Sequence, residues 1–126
     1  MALALVFDMK QDEELPLIRA WYEMTIWLIP KIQKFPRDLR FVLGEKIEQL
    51  LFGILDLLIQ AKYTRQRTSL LDTVNVELEK LRFHLRIAHD LNALSHKAYG
   101  LSSGRLLDIG GQVGGWKRAT QSKQSL

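Results

Sequence analysis

The sequence contains no cysteine among its 126 residues. Disulfide bonds, thiolate metal ligands and cysteine nucleophiles are therefore excluded. Long apolar runs are missing too, and no uninterrupted stretch has the length of a transmembrane helix. The apolar run at 3–7 is too short for a signal peptide and follows no basic residue. These features predict a soluble, cytoplasmic protein.

Recognisable catalytic motifs are also missing. The sequence has no HExxH pair and no GxSxG turn. The segment GGQVGGWKRAT lacks the GK[ST] ending of a phosphate loop and follows a helical pattern instead of a strand. His89 and His96 share a helix face, but no carboxylate accompanies them at metal-ligand spacing. We therefore predict a non-enzymatic protein without cofactor, metal site or small-molecule substrate.

Charge is distributed unevenly around a net value of +4. Residues 1–30 contain two basic and five acidic side chains, whereas residues 31–126 contain sixteen basic and nine acidic ones. A basic body of this kind predicts a polyanionic partner. The competing interpretation is that a modest cationic surplus only keeps the protein in solution.

Four apolar-periodic segments with short turn signals between them make up most of the chain. Their apolar residues recur at spacings of three and four, which is typical of amphipathic helices. The predicted helices cover about 15–34, 36–61, 70–94 and 96–116. Such helices with short connections predict an all-α, up-and-down four-helix bundle.

The three prolines shape the first half of this pattern. Pro16 suits the first position of a helix. Pro30 falls inside the first helix, where its ring and missing N–H predict a kink. Pro36 pushes Phe35 out of helical geometry and begins the second helix.

Turn and glycine residues set the later boundaries. Thr68 or Ser69 is the predicted N-cap of the third helix, and Ser95 that of the fourth. Four glycines near its end weaken the fourth helix, and the segment KRATQSKQSL after it is predicted to be mobile. The expected organisation is an arm at 1–14, a bundle at 15–118 and a polar tail at 119–126.

The third helix carries two apolar stripes on nearly opposite faces. One stripe fits the core of the bundle, and we expect another copy of the chain to cover the second. The alternative is that the second stripe consists of scattered surface residues. The inner stripe contains Leu71, Val74, Leu78, Leu81, Leu85 and Ala88, and the outer one contains Val76, Phe83, Ile87 and Leu94.

A cationic strip formed by Arg82, Arg86 and His89 lies between the two stripes. It can pair locally with Glu79 and Asp90, and it can also offer donors to a phosphate or a partner carboxylate. A second basic rim is predicted from cations near helix ends and in a turn. Its members are Arg37, Arg40, Lys62, Arg65 and Arg67.

The order and spacing of four blocks carry a family resemblance. WLIPKIQKFPRDLRFVLGEKI, LLIQAKYT, LEKLRFHLRIAHDL and GGQVGGW together resemble the accessory variability determinant (Avd) family of diversity-generating retroelements. The four-helix proteins encoded in ribosomal RNA intervening sequences are a sister group. The resemblance covers about residues 15–118.

The resemblance implies a homopentameric barrel of four-helix protomers from a prokaryotic element. It implies no catalysis, and binding to the element's reverse transcriptase and template RNA to support mutagenic cDNA synthesis. The family's arginine-bearing block is LRFHLR here, which transfers its role to Arg82 and Arg86. The rival hypothesis is an intervening-sequence-type structural or RNA-associated bundle without a reverse transcriptase partner.

Overall fold

The computed structural model describes residues 15–124, which form four helices and no strand. Helix α1 is Pro16–Ile32, helix α3 is Thr68–Asp90 and helix α4 is His96–Gln124. Helix α2 is continuous but composite, with the segments Arg37–Leu39, Arg40–Gly44 and Glu45–Lys62. This architecture confirms the all-α prediction and is consistent with a four-helix bundle. None of these helices is both long and apolar enough to cross a membrane.

The helices pack in an order that follows the chain. Helix α2 packs against α3, α3 against α4, and α1 against both α2 and α4. All six residues of the predicted inner stripe of α3 are buried, so that prediction is confirmed. The largest fully buried side chains are contributed by the first three helices; they include Trp21, Met24, Leu28, Ile47, Leu51, Ile54 and Leu81.

The α1–α2 corner depends on a close approach of the α2 backbone to a side chain of α1. Helix α1 continues through Pro30 to Ile32, and the chain then turns so that Phe35 is buried. A π-helical segment, Arg40–Gly44, follows the first turn of α2. A Cβ at Gly44 would lie 2.9 Å from Cγ2 of Ile32, so only glycine fits there without a shift. The apolar periodicity of α2 gave no sign of this π-helical segment.

The α2–α3 turn is closed by an arginine. Arg67 donates from Nε to the carbonyl oxygens of Ala61, at 2.8 Å, and Thr64, at 2.9 Å. Helix α3 begins at Thr68 with Arg67 in the N-cap position and without a side-chain cap. The predicted N-cap at Thr68 or Ser69 is therefore wrong, because Thr68 is already the first helical residue and Arg67 occupies the cap position.

Helix α3 ends at Asp90, four residues before the predicted end. Asn92 adopts a left-handed conformation with φ of 62°, and the N–H of Ala93 donates to the carbonyl of Ala88 at 2.8 Å. This is the Schellman arrangement that terminates a helix. The N–H of Ala98 then donates to Oγ of Ser95 at 3.1 Å, which confirms the predicted N-cap of α4.

Helix α4 continues to Gln124, well beyond the predicted end near Trp116. Lys117 forms an ion pair with Asp72 of α3 at 2.5 Å, and Thr120 is buried. The predicted helix end near Trp116 is therefore wrong, because these contacts hold residues 117–120 against the bundle as a continuation of α4. Residues 125–126 and the arm at 1–14 lie outside the described residues.

Candidate partner-binding surface

An apolar stripe is exposed on the outer face of α3. Val76 is 56% exposed, Phe83 55% and Ile87 45%, so no other helix within residues 15–124 covers them. Leu94 does not belong to this stripe, and its earlier assignment is wrong. It lies beyond the end of α3, where the reversal after Asp90 turns it into the core, and it is only 4% exposed.

Arg82 lies where α3 meets α4. Its Nη1 donates to Oε2 of Glu79 at 2.8 Å, and its Nη2 donates a longer bond of 3.4 Å to the carbonyl of Leu106. A Cβ at Gly110 would lie 3.2 Å from Nη2, so glycine leaves room for the guanidinium. The arginine is therefore oriented by α4 as well as by its own helix.

Arg86 is held less tightly one turn further along α3. Its Nε lies 3.8 Å from Oδ2 of Asp90, and both side chains are largely exposed. Exposed i,i+4 pairs of this kind contribute only a few tenths of a kcal/mol. Most of the five N–H donors of Arg86 therefore face solvent, where a phosphate or carboxylate could accept from them.

His89 is the most constrained member of the cationic strip. Its ring stacks on Tyr99 with 4.6 Å between centroids. Its Nδ1 lies 2.9 Å from Oδ1 of Asp90, and its Nε2 lies 3.2 Å from Nδ1 of His96. Since a carboxylate only accepts, Nδ1 of His89 carries a proton, and in the neutral ring Nε2 then accepts from Nδ1–H of His96.

The predicted second basic rim is not one surface. Helix α2 has Arg37 and Arg40 at its first turns and Lys62 at its last, and Arg65 and Arg67 follow in the turn. At ~1.5 Å per residue, the distance along the helix from Arg40 to Lys62 is roughly 33 Å. The rim prediction is therefore wrong as a single cluster, because a rigid helix separates its two groups.

Each group of cations has other basic side chains near it. The short α2–α3 turn makes these helices antiparallel, so Arg86 and His89 lie at the same end of the bundle as Arg37 and Arg40. The opposite end combines the turn with the last turns of α4. The cations at that end are Lys62, Arg65, Arg67, Lys117, Arg118 and Lys123.

Two tryptophans lie beneath cations at the surface, which the sequence interpretation missed. Nζ of Lys31 lies 4.3 Å from the ring centre of Trp27, and Cζ of Arg105 lies 4.7 Å from it. Arg67 lies 5.2 Å from the ring of Trp116. The i,i+4 spacing of Trp27 and Lys31 was a readable signal for the first contact, whereas the contact with Arg105 depends on the packing of α4 against α1.

Within residues 15–124, no group of three histidine, cysteine or acidic side chains is placed to hold a metal ion. The described surface is therefore one of arginines, apolar side chains and a histidine pair. A family model described as bAvd-like matches residues 17–120, which include residues from all four helices. The search of curated proteins gave no match.

Proposed function

Because this chain belongs to the bAvd-like family, we propose that it is a non-catalytic accessory protein of a diversity-generating retroelement, acting in the cytoplasm. In this role it binds the element's reverse transcriptase and template RNA and supports mutagenic cDNA synthesis. The observation that carries the proposal is the family match over residues 17–120. That match also confirms the resemblance noted in the four sequence blocks.

Self-association is part of the proposal. Val76, Phe83 and Ile87 would be covered by a second copy of the chain, and the resemblance implies five copies in a ring. Burial of an exposed apolar side chain contributes about 25 cal/mol per Å² removed from water. Assembly would also multiply the net charge of +4 per chain around one ring. The modest positive charge of each subunit would then add up around the ring, and the combined electrostatic field would attract a polyanion.

Arg82 and Arg86 are the proposed contacts to reverse transcriptase or RNA. Arg82 is fixed by Glu79 and by the carbonyl of Leu106, whereas Arg86 makes one long ion pair with Asp90. A local ion pair does not consume the donors of a guanidinium, because five N–H groups are available. The pair therefore combines one oriented side chain with one adaptable side chain.

The cations at the two ends of the bundle are proposed to contact RNA phosphates. Arg37 and Arg40 would extend the α3 strip at one end, and Lys62, Arg65 and Arg67 would act at the other. Such contacts depend on salt. For each phosphate of a single strand that is neutralised, log K falls by roughly 0.7 for every tenfold increase in salt concentration. Protein contacts along the apolar stripe depend on salt much less.

The test is the double variant Arg82→Ala, Arg86→Ala. We expect it to fold and assemble as the wild type does, because exposed ion pairs contribute little to stability. Less of the retroelement's reverse transcriptase should co-purify with the variant than with the wild type. Its affinity for RNA, measured by gel-shift titration, should be at least tenfold weaker. The matched control is Arg19→Ala, Lys46→Ala, which removes the same charge from exposed positions of α1 and α2, outside the strip and outside the apolar stripe of α3.

Normal binding by the arginine variant would contradict the assignment of the strip. Loss of binding in both double variants would indicate a general charge effect instead of a specific site. A wild-type protein that binds no reverse transcriptase would favour the intervening-sequence type of bundle.

A further inference from the structure

We propose that His89 and His96 form a binding site for a divalent transition-metal ion of the Zn²⁺ type at the α3–α4 corner. The ligand atoms are Nε2 of His89 and Nδ1 of His96, which lie 3.2 Å apart. Two nitrogen ligands of one tetrahedral Zn²⁺, each at 2.0–2.1 Å, are separated by about 3.3 Å. The observed N–N distance is therefore compatible with one shared ion, and the His96 ring must turn so that both lone pairs converge on it.

The second nitrogen of His89 has the partner that metal-binding histidines usually have. Its Nδ1–H donates to Oδ1 of Asp90 at 2.9 Å. This bond fixes the tautomer in which Nε2 carries the lone pair, and a carboxylate in this position raises the basicity of the ligand. The carboxylate missing from the sequence pattern is thus supplied by the residue that directly follows His89, on the side away from the ion.

The ring of His89 is held in place before any ion arrives, whereas His96 is exposed at the start of α4. His89 stacks on Tyr99, with 4.6 Å between ring centres and 25° between ring planes. The reversal at Asn92 and the Ser95 cap fix the end of α3 and the start of α4, which carry the two histidines. An ion would therefore join two helix ends that the backbone already positions.

Proton balance at the site is simple. When both rings of the metal-free pair are neutral, the proton on Nδ1 of His89 leaves Nε2 to accept from Nδ1–H of His96. The ion replaces that proton between the rings, and His96 then carries its proton on Nε2. Both rings must be neutral to act as ligands, so protons compete with the ion as the pH falls.

The nearby charges do not favour the ion by themselves. Asp90 is shared with Arg86 at 3.8 Å, and Lys97 follows His96 in the chain. The C-terminus of α3 favours a cation, whereas the N-terminus of α4 opposes one. The two imidazoles must supply the affinity, and water would complete the coordination, since no third protein ligand is available among residues 15–124. This is an open, exchangeable site.

The test is calorimetric titration of ZnCl₂ into the full-length chain, purified without a histidine tag. We expect one ion per chain, and at least tenfold weaker binding by His96→Gln. The variant Asp90→Asn keeps both ligands but loses the carboxylate, so it should bind about 10–100-fold more weakly. The control is His84→Gln, because Nδ1 of His84 lies 2.6 Å from the carbonyl of Lys80, on another face of α3.

A second measurement keeps the test independent of the variants' folding. In the wild type, Zn²⁺ should shift the ring ¹⁵N resonances of His89 and His96 and leave those of His84 unchanged. No uptake by the wild type, or equal uptake by His96→Gln and His84→Gln, would overturn the site. Ring resonances that respond to pH but not to Zn²⁺ would show that the pair only shares a proton, which also overturns it.

Discussion

The indole N–H of Trp21 donates a 2.9 Å hydrogen bond to the backbone carbonyl oxygen of Leu51 and so joins α1 to the middle of α2. The indole is fully buried, with 0% of its surface exposed. A buried tryptophan contributes apolar area, and its N–H must find an acceptor. Here the acceptor is a helical carbonyl, so the bond also fixes how the two helices are rotated relative to each other.

Replacing Trp21 with phenylalanine should destabilise the protein by about 2–3 kcal/mol, because it leaves a cavity and removes the bond to Leu51. Urea unfolding followed by circular dichroism measures the loss. The control is Trp27→Phe, since Trp27 is only partly buried and a phenylalanine ring can still face Lys31 and Arg105. Equal losses in the two variants would contradict the role given to Trp21.

Two glycines of α2 should respond to alanine with opposite signs. Gly44→Ala should lower the free energy of unfolding by about 1–3 kcal/mol, because the new methyl group would meet Cγ2 of Ile32 at 2.9 Å. Gly53→Ala should raise it by about 0.5–1 kcal/mol, since nothing lies within 4 Å of a Cβ there and alanine is the better helix former. Denaturant titration of both variants gives the comparison, and stabilisation by Gly44→Ala would contradict the close approach.

Patterns within one helix were enough to predict the core. The inner stripe of α3 was predicted completely because burial on a helix follows the 3.6-residue period. The Ser95 cap was predicted because its partner, Ala98, is three residues away. Both depend on local geometry, which the order of residues encodes directly.

Features that depend on packing between helices were missed. The extension of α4 is held by Lys117 against Asp72, which are 45 positions apart in the sequence. In the sequence, the apolar spacing of the outer stripe continues to Leu94. The chain reverses at Asn92, so Leu94 does not lie on α3. Positive φ at an asparagine is permitted but not dictated by its sequence context. The split of the basic rim is a different case, because it follows from the length of α2 alone, which the sequence does predict.

Self-association through the outer stripe of α3 predicts a clear effect of charge. Phe83→Glu should reduce the oligomer to smaller species, because burying a carboxylate in an apolar interface is unfavourable. Light scattering coupled to size-exclusion chromatography measures the mass. The control Asn75→Glu adds the same charge to an exposed position of α3 outside the stripe. An unchanged mass for Phe83→Glu would remove this stripe from the proposed interface.

The two basic ends can be separated by the salt dependence of RNA binding. Removing Arg37 and Arg40 with alanine should reduce the slope of log K against log salt by about 1.4 if both contact phosphates. Removing Lys62 and Arg118 tests the opposite end in the same way. A single-stranded RNA long enough to contact both ends should show a smaller slope of log K against log salt with each double variant. A short RNA that contacts one end should show a smaller slope with only one of them. No change in either slope would contradict phosphate contacts at the ends.

Two threonines with the same burial should respond oppositely to valine. Thr25 and Thr120 are each 6% exposed. The hydroxyl of Thr25 donates to the carbonyl of Trp21 at 2.9 Å, whereas the hydroxyl of Thr120 has no partner among the described residues. An unsatisfied buried hydroxyl costs about 1–3 kcal/mol, and valine keeps the shape of threonine without that group. Thr120→Val should therefore raise the free energy of unfolding by about 1 kcal/mol.

Thr25→Val should lower that free energy by about 1 kcal/mol, because it removes a satisfied hydrogen bond from an equally buried site. Valine and threonine are both β-branched, so helix propensity contributes little to the difference. Guanidinium unfolding of the two variants measures the effects. If Thr120→Val were as destabilising as Thr25→Val, the hydroxyl of Thr120 would have a partner, such as an ordered water, and the last turns of α4 would be fixed by a polar contact in addition to the Lys117 ion pair.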